Sequence, residues 1–234
     1  MNKIAALSIF YQTRFLLNPL YNSFTRNSGI TADFYIYDNS RNPNLRLQKD
    51  DVNGKNLILK YFNPMIFQNI YASRMHCLSI QLTMNDLNIS NYEFLILLDS
   101  DVIITHDLSH IIQKMRNDNY DIAGWHDQSI EQRNLIHPSL LFIKTKNILE
   151  KKIQFFDPKR IIVPWKDSFT YDTGMSFYED VCKAGLKVLE LEYNVGYNHF
   201  CAGCRQNQIG LTKSSKSKYS DINKWLKDFE PFWK

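Results

Sequence analysis

Apolar and polar positions along this chain fall into two alternating patterns. Ile4 to Phe10 is a short continuous apolar run that fits a strand buried on both faces. Phe15 to Arg26 carries Phe15, Leu16, Leu20 and Phe24 at helical spacing and stops at Asn27-Ser28-Gly29. Ala32 to Tyr37 reads as a second strand, closed by the turn formers "DNSRNPN". Asn56 to Phe62 reads as a third strand. Ile66 to Leu87 reads as a long helix with Ile66, Ile70, Met75, Leu78 and Leu82 inward. Phe94 to Leu98 is the strongest buried-strand signal in the chain. Leu108 to Met115 reads as a helix, "YDIAGW" from Tyr120 and Ser139 to Ile143 as strands, and Lys146 to Phe155 as a helix. Thr173 to Ala184 reads as a helix, stopped by Gly185 and followed by the strand "LKVLEL". From Asp221 a short amphipathic helix carries Trp225, Leu226, Phe229 and Trp233.

Strand and helix alternate through the first half, which predicts an α/β fold with a mostly parallel sheet and helices on both faces. The second half is less regular. No internal repeat or low-complexity linker divides the chain, and "LTKSSKSKYS" from Leu211 is its one polar, flexible-looking stretch. A single domain over residues 1–234 follows.

Composition narrows the class. Hydrophobic residues make up 44% and charged residues 22%, the balance of an ordinary globular chain with a sizeable core. The net charge of +4 is too mild to require nucleic acid, though it suits an anionic ligand or lipid. No apolar run reaches membrane-spanning length. The start, "MNKIAALSIFYQTRF", has too short an apolar part for a signal peptide and lacks a small-residue cleavage site, so it reads as the first strand. Four cysteines (Cys77, Cys182, Cys201 and Cys204) are too few for a disulfide framework, and the expected location is the cytoplasm.

The chemistry concentrates where the strongest strand ends. "FLILLDSDVIIT" places Asp99 and Asp101 directly after Leu98. The carboxyl edge of an open α/β sheet is where ligands bind. In extended chain, positions i and i+2 face the same side, so both carboxylates can reach one cation. Two carboxylates so close repel unless a cation lies with them, and oxygen ligands suit Mg2+ or Mn2+ bridging to phosphate. The competing reading is a turn or a helix cap, since short acidic pairs are common.

This stretch resembles the D-x-D strand of the GT-A glycosyltransferases, which use nucleotide-sugar donors. The order around it is similar as well: a first strand ending in Phe10-Tyr11, a second ending in Asp38-Asn39-Ser40, and a long helix leading to D-x-D. The resemblance is to the inverting family that includes many bacterial polysaccharide and lipopolysaccharide transferases, and it covers about residues 3 to 200. It implies a GT-A (Rossmann-like) fold whose residues 1–105 bind the nucleotide sugar and whose residues 106–210 form the acceptor and catalytic half. Tyr11 would then lie against the nucleotide base, and Asp38 would bond the base or ribose. Asp99 would bond the ribose or sugar with Ser100 beside it, and Asp101 would be the direct metal ligand, with Asp99 also at the metal. Arg74, on the long helix, would face the donor. For Tyr11 the competing role is a core or surface tyrosine, for Asp38 a turn former, and for Arg74 a solvated helix position.

The family's general base is a carboxylate at the start of a late helix. Asp172, in "YDTGMSFYED", has that place, where the helix dipole would keep it ionised. It is also a natural N-cap. Glu179 and Asp180 are the alternatives, and the chain departs here from the family's commoner Glu-Asp pattern. His199 would add a metal ligand, with a structural histidine or a zinc site with Cys201 and Cys204 as competing roles. Arg205 and Lys213 would neutralise the diphosphate, or are solvated. Trp125 and Trp165 would line the acceptor side, or are core.

These expectations make a Mn2+- or Mg2+-dependent enzyme that moves a sugar from a UDP-, GDP- or dTDP-linked donor to a glycan or lipid-linked glycan. A nucleotidyltransferase of sugar phosphates is the alternative enzyme, but the first strand lacks the glycine-rich phosphate loop such enzymes carry. A non-catalytic glycan-binding domain on the same fold is the alternative without chemistry. The tail, residues 211–234, combines lysines with aromatic residues. It would either rest on an anionic membrane surface as a peripheral contact or pack back on the domain.

Overall fold

The computed structural model describes residues 3–51, 54, 56–63, 66, 72–127, 135–157, 160, 173–200 and 221–234, with only the backbone of 72–74. Its centre is a seven-stranded sheet. In chain order the strands are β1 (Ile4–Phe10), β2 (Asp33–Asp38), β3 (Leu57–Tyr61), β4 (Phe94–Asp99), β6 (Ile122–Asp127), β7 (Leu135–Lys144) and β8 (Val188–Leu191), and their order across the sheet is β3-β2-β1-β4-β7-β6-β8. Strands β3, β2, β1 and β4 are mutually parallel. β7 runs antiparallel between β4 and β6, and β8 is parallel to β6. A second, two-stranded antiparallel sheet joins β5 (Val102–Ile104) to β9 (Tyr197–His199).

The continuous apolar run of β4 has its cause in packing on two faces. Phe94, Ile96 and Leu98 enter one hydrophobic cluster while Leu95 and Leu97 enter the other, and all five are buried. A strand covered on both sides gains from apolar residues at every position, not at every second one. Helices α1 (Leu17–Asn27), α3 (Ser109–Asn117) and α6 (Ile222–Asp228) cover the first face. Helices α2 (Ala72–Asp86), α4 (Thr145–Glu150) and α5 (Met175–Lys183) cover the second.

Several boundaries differ from the sequence reading for local reasons. The first helix is preceded by a 3-10 turn at Arg14–Leu16, which leaves Phe15 42% exposed instead of inward. The helix expected to reach Phe155 ends at Glu150. Lys152 takes the left-handed conformation (φ 54°), and Ile153 N–H bonds back to Ile148 C=O. This is a Schellman stop built without the usual glycine. The helix expected from Thr173 begins at Met175, with left-handed Gly174 (φ 94°) at its N-cap. The sequence reading did not separate β5 and β9 as strands.

The carboxyl-terminal segment docks on the domain. Trp225 is fully buried, packs on Phe200 with ring centres 5.4 Å apart, and donates from Nε1 to Asn198 Oδ1 at 2.6 Å. Phe229, Phe232 and Trp233 pack against the same cluster, and Asn27 Nδ2 donates to Phe232 C=O at 2.9 Å. The tail's aromatic residues therefore face inward, leaving Lys224, Lys227 and Lys234 outside. Among the described residues no helix is long and apolar enough to cross a membrane. A Trp225→Ala substitution is expected to cost about 3–5 kcal/mol. Urea denaturation measures this, and a tail that merely trailed in solvent would leave the midpoint unchanged.

Candidate active site

The site forms where β4 leaves the sheet. Asp99 is the last residue of β4, Ser100 and Asp101 turn the chain, and β5 starts at Val102. This turn lies at the carboxyl end of the parallel strands, the edge at which α/β sheets bind ligands.

The β5–β9 pairing completes it. Val102 sits opposite His199, and Phe200 N–H extends the ladder to Asp101 C=O at 3.0 Å. Ile104 N–H donates to the buried Ser23 hydroxyl on α1, which anchors β5 to the domain. Left-handed Gly196 (φ 79°) enters β9, and its carbonyl accepts from both Thr105 N–H and His106 N–H. His199 is thereby set beside the acidic pair. Its Nε2 lies 3.2 Å from Asp101 Oδ1 and 3.4 Å from Asp99 Oδ2. The sequence reading put His199 after the last strand; it is the final residue of β9.

Two further histidines join the cluster, and sequence reasoning missed both. His76 on α2 approaches Asp99 Oδ1 with Nε2 at 3.6 Å. His137 on β7 brings a ring nitrogen within 4.8 Å of both the Asp99 carboxylate and a His199 ring nitrogen. Neither lies in a motif. His76 is an ordinary polar helix position, and His137 lies within β7 directly before Pro138. Asp101 and His199 are each only 7% exposed, so these two side chains are screened from bulk water. Nearby, burial raises the Tyr197 phenol above its ordinary value, so it stays protonated.

The other expected residues divide clearly. The Thr13 hydroxyl donates to the Ser100 hydroxyl at 3.2 Å, tying the segment after β1 to the acidic turn. Tyr11 is half-buried and packs on the second hydrophobic cluster. Asp38 is fully buried; one carboxylate oxygen accepts from Ser40 N–H at 2.8 Å and the other from Leu47 N–H at 2.6 Å. It shapes the loop after β2, the turn-forming role that competed with a nucleotide contact. Arg74 falls on α2, but its side chain lies outside the described residues, as do Asp172, Trp165, Cys201, Cys204, Arg205 and Lys213. Glu179 and Asp180 are held by Arg160, whose guanidinium lies 3.8 Å and 2.5 Å from them. Beside the end of β1, an open pocket of about 380 Å³ is lined by Gln12, Arg14, Phe15, Asn44 and Asp51 among others.

On the far side of the cluster Trp125, at the carboxyl end of β6, packs against His137 (ring centres 5.3 Å apart) and Tyr193 (4.3 Å). The resulting aromatic wall runs from the histidines towards the edge of the sheet.

Several solved structures share this architecture. An active-site mutant of LgtC superposes with a TM-score of 0.58 at 12% identity, covering 95% of this chain and 94% of that one. The chain has the GT-A fold. TarS from S. aureus matches with a TM-score of 0.56 at 13% identity over 83% of this chain and 36% of its own, so this chain spans about a third of that protein. The mannosyltransferase PcManGT from Pyrobaculum calidifontis, in complex with GDP-Man and Mn2+, matches with a TM-score of 0.52 at 9% identity, over 82% of this chain and 55% of that one. At these identities the likeness is one of fold. No family model matches the sequence, and no curated protein matches it.

Gly174 gives the site a testable support. A Cβ there would lie 2.4 Å from the Ile136 carbonyl, directly before His137, and its φ of 94° is one that side chains rarely adopt. Gly174→Ala is expected to destabilise the protein by about 1–3 kcal/mol through strain at this contact. The urea midpoint reads it, whereas Gly185→Ala (nothing within 4 Å of its Cβ) carries the backbone cost without the collision.

Proposed function

We propose that this protein is a metal-dependent glycosyltransferase that moves a sugar from a nucleotide-sugar donor to a hydroxyl of a glycan or lipid-linked glycan. The observation that carries this reading is the convergence of Asp99 and Asp101, at the carboxyl end of β4, on His199 Nε2, which lies 3.4 Å from the first carboxylate and 3.2 Å from the second. Further support comes from the GT-A fold and from two proteins that share it, TarS in complex with UDP and PcManGT in complex with GDP-Man and Mn2+.

The residues present fit a divalent cation. Two carboxylates supply hard oxygen donors and His199 adds an imidazole nitrogen, a mixed set that suits Mn2+ and accepts Mg2+ less readily. Asp101 and His199 would hold the ion, with Asp99 turned to the same point. Bound there, it would offset the charge of a diphosphate leaving group. The chain's own residues do the rest. Ser100 and Thr13, linked by their hydroxyls, hold the acidic turn against the segment after β1. The pocket beside Gln12 offers room for a nucleotide base. Arg205, and Arg74 on α2, are the candidates for neutralising phosphate.

In the transfer, the acceptor oxygen bonds to the anomeric carbon as that carbon's bond to the diphosphate oxygen breaks. The acceptor's proton passes to a carboxylate base, for which Asp172 is the candidate. The nucleoside diphosphate departs with the bonding electrons. With this base the displacement is direct, and the anomeric configuration inverts. The aromatic wall of Trp125 and Tyr193 would present a face to an acceptor sugar.

Donor binding tests the reading first. Isothermal titration of UDP-, GDP- and dTDP-hexoses with Mn2+ should find one donor that binds only with the ion. Asp101→Ala should weaken that binding roughly a hundredfold or more, as expected for loss of a direct ligand. A wild-type protein that binds no donor with either Mn2+ or Mg2+ would sink the proposal. Once a donor and acceptor are in hand, proton NMR of the first product reads the anomer. Inversion is expected, and retention would remove Asp172 from the role of base.

A further inference from the structure

His199 reaches the acidic turn on a very small sheet. β5 and β9 have three residues each and form a two-stranded sheet of their own, apart from the seven-stranded one. A two-stranded ladder is marginal in water, so its place must come from what packs on it. Helix α1 holds one side. Ser23 Oγ accepts from Ile104 N–H at 3.0 Å, and Asn27 Nδ2 donates to Ile104 C=O at 2.7 Å. The carboxyl-terminal segment holds the other. Asn27 Nδ2 also donates to Phe232 C=O at 2.9 Å, so one amide group ties that segment to β5. Trp225 Nε1 donates to Asn198 Oδ1 at 2.6 Å, and its ring packs on Phe200 with centres 5.4 Å apart.

Side chains alternate along β9. His199 turns towards Asp99 and Asp101, with Nε2 at 3.4 Å and 3.2 Å from their oxygens. Asn198 turns the opposite way and meets the Trp225 indole. The bond therefore lies directly behind the strand position from which His199 projects. Trp225 is fully buried, so its N–H has a fixed direction. A shift of β9 would break this bond and move the imidazole together. A cation tolerates little such movement, since its ligand atoms must be placed to within about 0.2 Å.

We propose that Trp225 is a positioning residue of the cation site, acting through Asn198 on His199, and that docking of the carboxyl-terminal helix and binding of the cation are coupled. This rests on the metal-dependent glycosyltransferase reading of the site. The coupling is reciprocal. If a loosened carboxyl-terminal helix weakens Mn2+ binding, bound Mn2+ must hold that helix down by the same factor.

Two measurements test it, with Mn2+ alone as the probe. Electron paramagnetic resonance titration compares wild type with Trp225→Phe, Asn198→Ala and the double variant, each confirmed as folded by circular dichroism. Trp225→Phe keeps an aromatic ring and drops the N–H. Asn198 is half-buried, so its variant leaves the core ring untouched. Each single variant should lose about three- to tenfold in Mn2+ affinity, the scale of one hydrogen bond. The double variant should lose no more than either single one, because both remove the same bond. Trp233→Phe is the control. Trp233 Nε1 donates at 3.2 Å to Leu226 C=O, within the carboxyl-terminal segment itself. Its variant should stay within about twofold of wild type, the loss of a bond that does not reach β9.

Hydrogen exchange read by mass spectrometry over residues 221–234 supplies the reciprocal half. Saturating Mn2+ should slow exchange there in wild type by about the factor lost in Trp225→Phe, and should not do so in Asp101→Ala. Three results overturn the proposal: wild-type Mn2+ affinity in both Trp225→Phe and Asn198→Ala, an equal loss in Trp233→Phe, or exchange that ignores Mn2+. Each would make the carboxyl-terminal helix a stabilising cover only and leave the glycosyltransferase reading standing. A wild-type protein that binds no Mn2+ would instead overturn the reading of the site itself.

Discussion

Strand β4, buried on both faces, sets the position of everything around it. It lies fourth of seven, bonded in parallel to β1 and antiparallel to β7. Its side chains alternate between two hydrophobic clusters, so it belongs to both faces of the sheet at once. Removing such a strand from water on both sides is the largest single gain available to a segment of its length. Its position is therefore tightly specified, and so is the point at which it stops. The carboxylates that follow inherit that precision, since Asp99 still belongs to the strand and Asp101 is one turn beyond it.

The acidic turn would be an electrostatic liability if it stood alone. Asp101 is nearly buried, and like charges so close raise one another's cost of ionisation. The short β5–β9 ladder answers this by bringing His199 against both carboxylates, while α2 brings His76 to the other side of Asp99. The cluster is thus assembled from four separate segments of chain, each fixed by its own backbone pairing or packing. That is how a fold can hold polar groups in a defined geometry without relying on flexible loops. The docked carboxyl-terminal helix adds to it from behind. Trp225 bonds Asn198, the neighbour of His199 in β9, so the same aromatic residue that closes the core also steadies β9.

Much of this was legible along the chain. The alternation of buried runs and amphipathic helices specified an α/β sheet, because each pattern is locally periodic and each period has one best burial. The D-x-D pair was visible because it sits where a buried run ends, and a charge in that place needs a reason. Asp38 was ambiguous in the sequence, since an aspartate among turn formers suits a ligand and a loop equally well. In the fold the Ser40 and Leu47 amides are both directed at its carboxylate, which gives it a part in shaping the loop. The helix end at Lys152 was hidden for a related reason: a Schellman stop normally declares itself with glycine, and here a lysine takes the left-handed conformation.

The layers of the fold, the central strand and the acidic turn at its end follow from the order of residues alone, because they depend on local period and on the burial of nearby residues. Which side chains meet at that turn depends on how distant segments pack. His199 reaches it through the pairing of β9 with β5, His137 through β7, and His76 through the seating of α2. No spacing in the chain encodes these meetings, because they arise from register and packing between segments far apart in sequence.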